Sequence, residues 1–94
     1  MTATPAPGPA RLSPSPRVAW QVLDGEAVLI DLARGAAVGL NASGSLVWSQ
    51  LATLDADELA RELCKAFDVD PDRARADVAA FMALLEERGF AEPR

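Results

Sequence analysis

Two side chains common in active sites are missing from this chain. Its 94 residues include no histidine and no tyrosine, and Cys64 is the only cysteine. Without histidine, the Ser-His-Asp and Cys-His schemes of nucleophilic catalysis are impossible within this chain. One thiol without imidazole makes neither the usual zinc site nor an iron–sulfur cluster. We therefore predict no enzymatic activity, no cofactor and no metal, and we interpret Cys64 as a small residue at the edge of the core.

Positive charge and long apolar runs are also scarce. Lysine and arginine total 9 against 14 aspartates and glutamates, which gives a net charge of -5. This balance argues against a nucleic-acid partner, because binding to phosphates depends on lysine and arginine. No stretch approaches the roughly 18 consecutive apolar residues of a membrane span, and no basic segment followed by an apolar one suggests a signal peptide. We therefore expect a cytoplasmic protein.

The N-terminal segment has a different composition from the rest. Residues 1–16 carry five of the seven prolines, and Leu12 is their only sizeable aliphatic side chain. Such a segment buries too little apolar surface to offset the entropy lost on ordering. We predict a disordered Pro-rich arm over 1–16 and one folded domain over 17–92. The alternative is an arm that docks on a partner or on a second copy of the chain.

Three segments after the arm have the pattern of short β-strands. Residues 18–23 alternate between two faces, and Asp24-Gly25 is a strong hairpin signal, because glycine adopts a positive φ at little cost. Residues 26–32 then return, and residues 36–40 follow a second tight turn. Three strands joined by such short turns predict an antiparallel meander with the third strand at its edge. The face expected to pack on helices carries Val18, Trp20, Val22, Val28 and Ile30.

Three helices are predicted to follow the strands, each with a recognisable start or stop. Asn41, Asp55 and Asp70 are good N-caps, because their side-chain oxygens accept hydrogen bonds from the first turn. Gly89 is a typical residue just beyond a helix C-terminus. The expected ranges are about 41–53, 55–67 and 71–88.

Small residues fill the third strand and the start of the first helix. The strand reads Ala-Ala-Val-Gly over residues 36–39, and small side chains let another backbone approach a strand closely. Ser43, Gly44 and Ser45 are poor helix formers, which we interpret as a sign of close packing against the sheet. The open strand is therefore the candidate working surface.

Three strands followed by three helices predict a small α+β domain. Three functions stay open at this point. The edge strand could accept an extended peptide, the helices could form a DNA-binding unit, or the open edge and the arm could pair with a second copy to make a homodimer. DNA binding would show steep salt dependence, and self-association would show concentration-dependent size.

The ordered pattern of these motifs resembles the PqqD family, the peptide recognition elements of ribosomal-peptide modification pathways. The resemblance is carried by Gly25, the segment 28–32, Gly35, the segment 39–44 and Trp48. It continues through Leu59, Leu63, the segment 67–70, Val78, Phe81, Leu84, Leu85, Gly89 and Phe90. It covers roughly residues 18–90.

The resemblance implies a winged-helix-like fold without catalysis. In the family, the leader segment of a precursor peptide adds as a strand to the third strand, beside the third helix. The module then presents the peptide to a modifying enzyme, often a radical SAM protein or a leader peptidase. The pattern fits the general family more closely than the members dedicated to pyrroloquinoline quinone, so no pathway follows from it.

Carried onto this chain, the resemblance implies eight candidate peptide-binding residues. Four lie on the third strand and four on the third helix: Ala36, Ala37, Val38, Gly39, Arg73, Asp77, Phe81 and Leu84. Many relatives have aromatic residues where this chain has Ala36 to Val38, so the shallower pocket wall is expected either to change which leader side chain fits or to weaken binding. Proline at Val38 is expected to abolish peptide binding and leave the fold intact, because an edge strand tolerates proline but loses one N–H donor.

Overall fold

A computed structural model describes residues 9–94, so the prediction for residues 1–8 lies outside the described part. No helix in the described part is long and apolar enough to cross a membrane. The elements in chain order are β1 (Leu12–Pro14), β2 (Val18–Leu23), β3 (Glu26–Asp31), β4 (Ala36–Gly39), α1 (Ala42–Gln50), α2 (Ala56–Phe67), α3 (Pro71–Glu87) and β5 (Ala91–Pro93). The predicted α+β order is confirmed for the three strands β2 to β4 and the three helices that follow them, and β1 and β5 form an additional two-stranded sheet.

The central sheet is an antiparallel meander with the order β2-β3-β4. Asp24 and Gly25 both have positive φ, 53° and 81°, as a tight two-residue hairpin requires. The hairpin sets the register and pairs Trp20 with Leu29. The predicted meander is confirmed, and β4 lies at one edge of the sheet.

The sheet face that packs on the helices differs from the prediction. Cross-strand partners share a face, so the pairing of Trp20 with Leu29 places Leu29 and Ala27 toward the helices, where both are fully buried. Val28 and Ile30 therefore lie on the opposite face, and Ile30 is 41% exposed. The prediction was wrong for these two residues because it followed hydrophobicity along β3 and ignored the register that the hairpin imposes.

Strand β2 is only partly covered by the helices. Val18, Trp20 and Val22 do lie on the helix-facing side, as predicted, and the rings of Trp20 and Trp48 form a T-shaped pair with centroids 6.1 Å apart. Trp20 and Val22 nevertheless remain exposed. The outer strand thus extends beyond the helices that cover β3.

The helix boundaries follow from their caps. The Asn41 carboxamide accepts the Gly44 N–H, Asp55 forms a capping box, and Asp70 accepts two N–H groups of the first turn of α3. Gly89, at φ 76°, ends α3. The three predicted helices are confirmed within a few residues at their ends. The largest fully buried side chains of the helices are Trp48, Leu59 and Val78, and Leu51 is buried directly after α1.

Part of the predicted N-terminal arm is ordered. Strand β1 pairs antiparallel with β5, and Leu12 is 3% exposed within the hydrophobic core. The Ser15 N–H donates to the Phe90 carbonyl. The prediction of disorder over 1–16 was therefore wrong for residues 12–15. Composition alone could not reveal a strand partner that lies almost eighty residues later in the chain.

Candidate functional site

Strand β4 offers one free backbone edge. Within residues 9–94, β3 is its only strand partner. The Leu40 N–H donates to the Ala27 carbonyl at 2.8 Å, and antiparallel pairs alternate between bonded and non-bonded positions. Ala36 and Val38 therefore direct their backbone groups toward β3. Ala37 and Gly39 direct theirs outward, where another backbone can reach them.

This register corrects one expectation about Val38. Val38 lies opposite Leu29 and belongs to a pair that is hydrogen-bonded within the sheet. Proline at Val38 would remove a bond between β3 and β4, and so would weaken the sheet itself. The position where proline removes an outward donor and leaves the ladder intact is Ala37.

A buried serine ties the end of β4 to the start of α1. The Ser45 hydroxyl accepts the Ala27 N–H at 2.7 Å and donates to the Leu40 carbonyl at 3.3 Å. It thus bridges the strand pair at the point where β4 turns into α1. This bridge explains why a poor helix former stands in the first turn, and it confirms the expected packing against the sheet.

A groove of about 470 Å³ lies between β4 and α3. The first turns of α1 contribute one part of its wall. The lining is largely apolar at the strand and helix sides, with polar groups near the α1 N-cap. Its residues are Val38, Gly39, Leu40, Asn41, Ser43, Gly44, Val47, Leu63, Asp77, Val78, Ala80, Phe81 and Leu84.

The groove brings together five of the eight candidate residues named from the sequence. These are Val38, Gly39, Asp77, Phe81 and Leu84. Ala36 and Ala37 lie on β4 outside the lining. Arg73 is also outside it, but its Nε lies 3.3 Å from the Asp77 carboxylate. The strand edge and the helix face are therefore adjacent surfaces.

The sequence reasoning missed the contribution of the α1 start. Asn41, Ser43 and Gly44 line the groove, although they were interpreted only as a cap and as packing residues. A Cβ on Gly44 would lie 3.5 Å from Phe81 Cζ and 3.1 Å from Asn41 Oδ1. A side chain at position 44 would therefore crowd the Asn41 carboxamide and occupy part of the groove beside Phe81, and glycine avoids both effects. The run of three poor helix formers was the available signal.

Charge in the groove is small and exposed. Asp77 is the only ionisable residue among the lining residues, and both members of its pair with Arg73 are largely open to solvent. Exposed pairs of this kind contribute about 0–1 kcal/mol. Within residues 9–94, no three histidine, cysteine or carboxylate side chains are placed to hold a metal ion. The groove thus presents a backbone edge beside apolar walls.

Comparisons with known proteins agree with this geometry. The family model described as Coenzyme PQQ synthesis protein D (PqqD) matches residues 26–91. No curated protein sequence matches the chain. Among solved structures, one is described as TbiB1 in complex with the TbiA(beta) leader peptide. It is 30% identical, with 85% of this chain and 94% of that chain covered and a TM-score of 0.80.

A second solved structure is lasso peptide synthetase B1 complexed with the leader peptide. It is 27% identical to this chain, with a TM-score of 0.81. The match covers 89% of this chain and 100% of that chain. Both matches cover more than four fifths of the chain. Together with the match of the family model to residues 26–91, they establish that the chain belongs to the PqqD family.

Proposed function

We propose that this protein is a non-catalytic adaptor that binds the leader segment of a ribosomally made precursor peptide. The leader adds as a strand to β4, and the protein presents it to a peptide-modifying enzyme. The observation that carries the proposal is a free strand edge that runs directly beside an apolar groove. Strand addition uses both features, since backbone bonds give affinity and pockets for alternate side chains give specificity.

The groove supplies the side-chain part of this recognition. Side chains of a bound strand alternate between the two faces of the sheet. Those on the same face as Val38 would enter the groove and meet Phe81 and Leu84 on α3. These walls favour apolar side chains on the leader, and Ala37, which shares the outer face of the sheet with Ile30, leaves space on that face.

The two similar structures support this assignment. Each is described as a complex with a leader peptide, and the family model matches residues 26–91, a range that contains β4 and α3. The modifying enzyme belongs to the proposal, with a radical SAM protein and a leader peptidase as the two expected types. A cytoplasmic location is also part of it, because ribosomal precursors are made there.

Replacement of Ala37 by proline tests the proposed strand addition. The change removes an outward N–H while the bonds from Val38 to β3 remain, and the ring obstructs a strand at that point. We expect leader affinity to fall by at least about tenfold, since a lost hydrogen bond of about 0.5–1.5 kcal/mol adds to the obstruction. The measurement is calorimetric titration with the leader of the cognate precursor, and with the TbiA(beta) leader as a related probe.

The matched control is Ala37→Val, which keeps the N–H and adds side-chain bulk at the same position. It should bind the leader within about threefold of the original protein. Thermal melts of both variants check that the fold is retained. Equal affinity for the proline variant and the original protein would contradict strand addition at β4.

A further inference from the structure

A second cleft, of about 400 Å³, lies between α2 and the first turns of α3. Its α2 residues recur every three or four positions, so they share one helix face. We call it the basic cleft, and it is lined by Asp57, Ala60, Arg61, Cys64, Lys65, Pro71 and Arg75.

The charge of the basic cleft is opposite to that of the protein. Three cationic side chains and one carboxylate line it, whereas the whole chain has a net charge of -5. A third of the nine cationic residues therefore gather around one small opening. An opening of this charge attracts carboxylates and disfavours cationic segments.

The cations of the cleft are available to an incoming carboxylate. Within residues 9–94, Arg61 takes part in no ion pair. Lys65 pairs with Glu62, and Arg75 with Asp72, each within its own helix and at the exposed surface. Such exposed pairs contribute little to stability, so exchanging them for a new partner carries little cost.

The cleft also has an apolar component. Ala60 is buried, Cys64 is half-buried and packs at the edge of the core, and Pro71 adds a ring surface at the mouth. A carboxylate-bearing segment with one small apolar side chain would satisfy both parts of this lining. An amphipathic acidic segment fits better than a free anion.

The basic cleft and the groove between β4 and α3 open on opposite sides of α3. Arg75 lines the cleft, and Asp77 lines the groove two residues later. Two residues correspond to a rotation of about 200°, so these side chains point about 160° apart around the helix. A peptide in the groove therefore leaves the cleft free, as an adaptor with two simultaneous partners requires.

We propose that the basic cleft docks an acidic segment of the peptide-modifying enzyme. Arg61, Lys65 and Arg75 bind its carboxylates, and the surface of Ala60 and Pro71 receives an apolar side chain. This inference rests on the proposed function, because it assigns a site to the second partner of the adaptor. The electrostatic contribution makes the docking sensitive to salt.

The first experiment locates the site with a defined probe. The synthetic peptide acetyl-Glu-Leu-Glu-Asp-Leu-Glu-amide is titrated into the isotopically labelled full chain, and amide shifts are followed by NMR. We expect saturable shifts at Arg61, Cys64, Lys65 and Arg75 that shrink when salt is raised. Shifts that centre on β4, or that do not saturate, would overturn the assignment.

The second experiment separates docking from leader binding. The double variant Arg61→Glu with Arg75→Glu is compared with Arg88→Glu, which reverses one exposed charge at the end of α3. With the cognate modifying enzyme at a limiting concentration, we expect the double variant to slow precursor modification at least tenfold. Its leader affinity should stay within twofold, and Arg88→Glu should change neither quantity. The milder pair Arg61→Gln with Arg75→Gln replaces the double variant if thermal melts show a folding defect.

The outcomes distinguish this inference from the proposed function. Leader binding by every variant together with an unchanged modification rate for the double variant would overturn the docking site alone. An equal loss with Arg88→Glu would also overturn it, because the effect would then come from net charge. Absence of leader binding by the original protein would instead refute the proposed function.

Discussion

Replacing Ser45 by alanine should destabilise the protein through a single buried N–H group. The Ser45 hydroxyl is the acceptor for the Ala27 N–H at 2.7 Å, and Ala27 is completely buried. Without that acceptor, the N–H is left unsatisfied, which costs about 1–3 kcal/mol. Alanine recovers up to about 0.5 kcal/mol through its higher helix propensity. For a domain of this size, the melting temperature should fall by roughly 4–8 °C per kcal/mol lost.

The assay for this prediction has a control on the same helix. Ser49 donates its hydroxyl to the Leu46 carbonyl at an exposed position, so Ser49→Ala should leave the melting temperature unchanged or slightly raised. Amide hydrogen exchange provides a local measurement, since the Ala27 N–H should lose protection only in Ser45→Ala. If both variants melt together and Ala27 stays protected, Ser45 is not the acceptor and the argument for the strand–helix bridge fails.

Two further predictions concern the β1–β5 pair and the groove. Leu12→Ala should lower the free energy of unfolding by about 2–5 kcal/mol, because Leu12 is buried in the core. A loss below about 0.5 kcal/mol, measured by urea denaturation, would show that Leu12 does not pack in the core and would favour the disordered arm. Leu84→Ala should weaken leader binding about threefold to tenfold by removing a groove wall, whereas Leu32→Ala, which trims an exposed leucine outside the groove, should leave calorimetric affinity unchanged.

Elements with strong local signals were predictable from the sequence. Asp24-Gly25 determined the hairpin, and the side chains of Asn41, Asp55 and Asp70 determined where the helices begin. Each of these signals acts within four residues, so tertiary structure does not need to be known. The ranges of β2, β3 and β4 were predictable for the same reason, whereas β1 and β5 were not predicted.

Features that depend on register or on distant pairing were harder to predict. The face of β3 was misjudged, although the two-residue hairpin already pairs Trp20 with Leu29 and so determines it. Leu12 was assigned to a disordered arm because its partner strand, at Pro93, is remote in sequence. The groove residues on α1 were missed because capping explains Asn41 without any reference to α3.

Asp31 carries a buried carboxylate, and the free-energy cost of burying it could not be recognised from the sequence pattern. Asp31 ends β3 on the helix-facing side and is 1% exposed. Its carboxylate accepts the N–H groups of Ala33 and Arg34, and the Arg34 guanidinium lies 3.8 Å away. These partners satisfy a group that would otherwise be costly to bury. Asp31 thus shapes the turn that brings the chain into β4.

The openness of the β4 edge follows from how the chain leaves the strand. β4 ends at Gly39, and α1 begins three residues later. Ser45 attaches the first turn of α1 to Ala27 on β3, which is the inner neighbour of β4. The helix is therefore held over the end of β4 and away from its outer side. A shift of α1 toward the outer side of β4 would leave the buried Ala27 N–H without an acceptor, so this hydrogen bond disfavours a position of α1 that covers the strand edge.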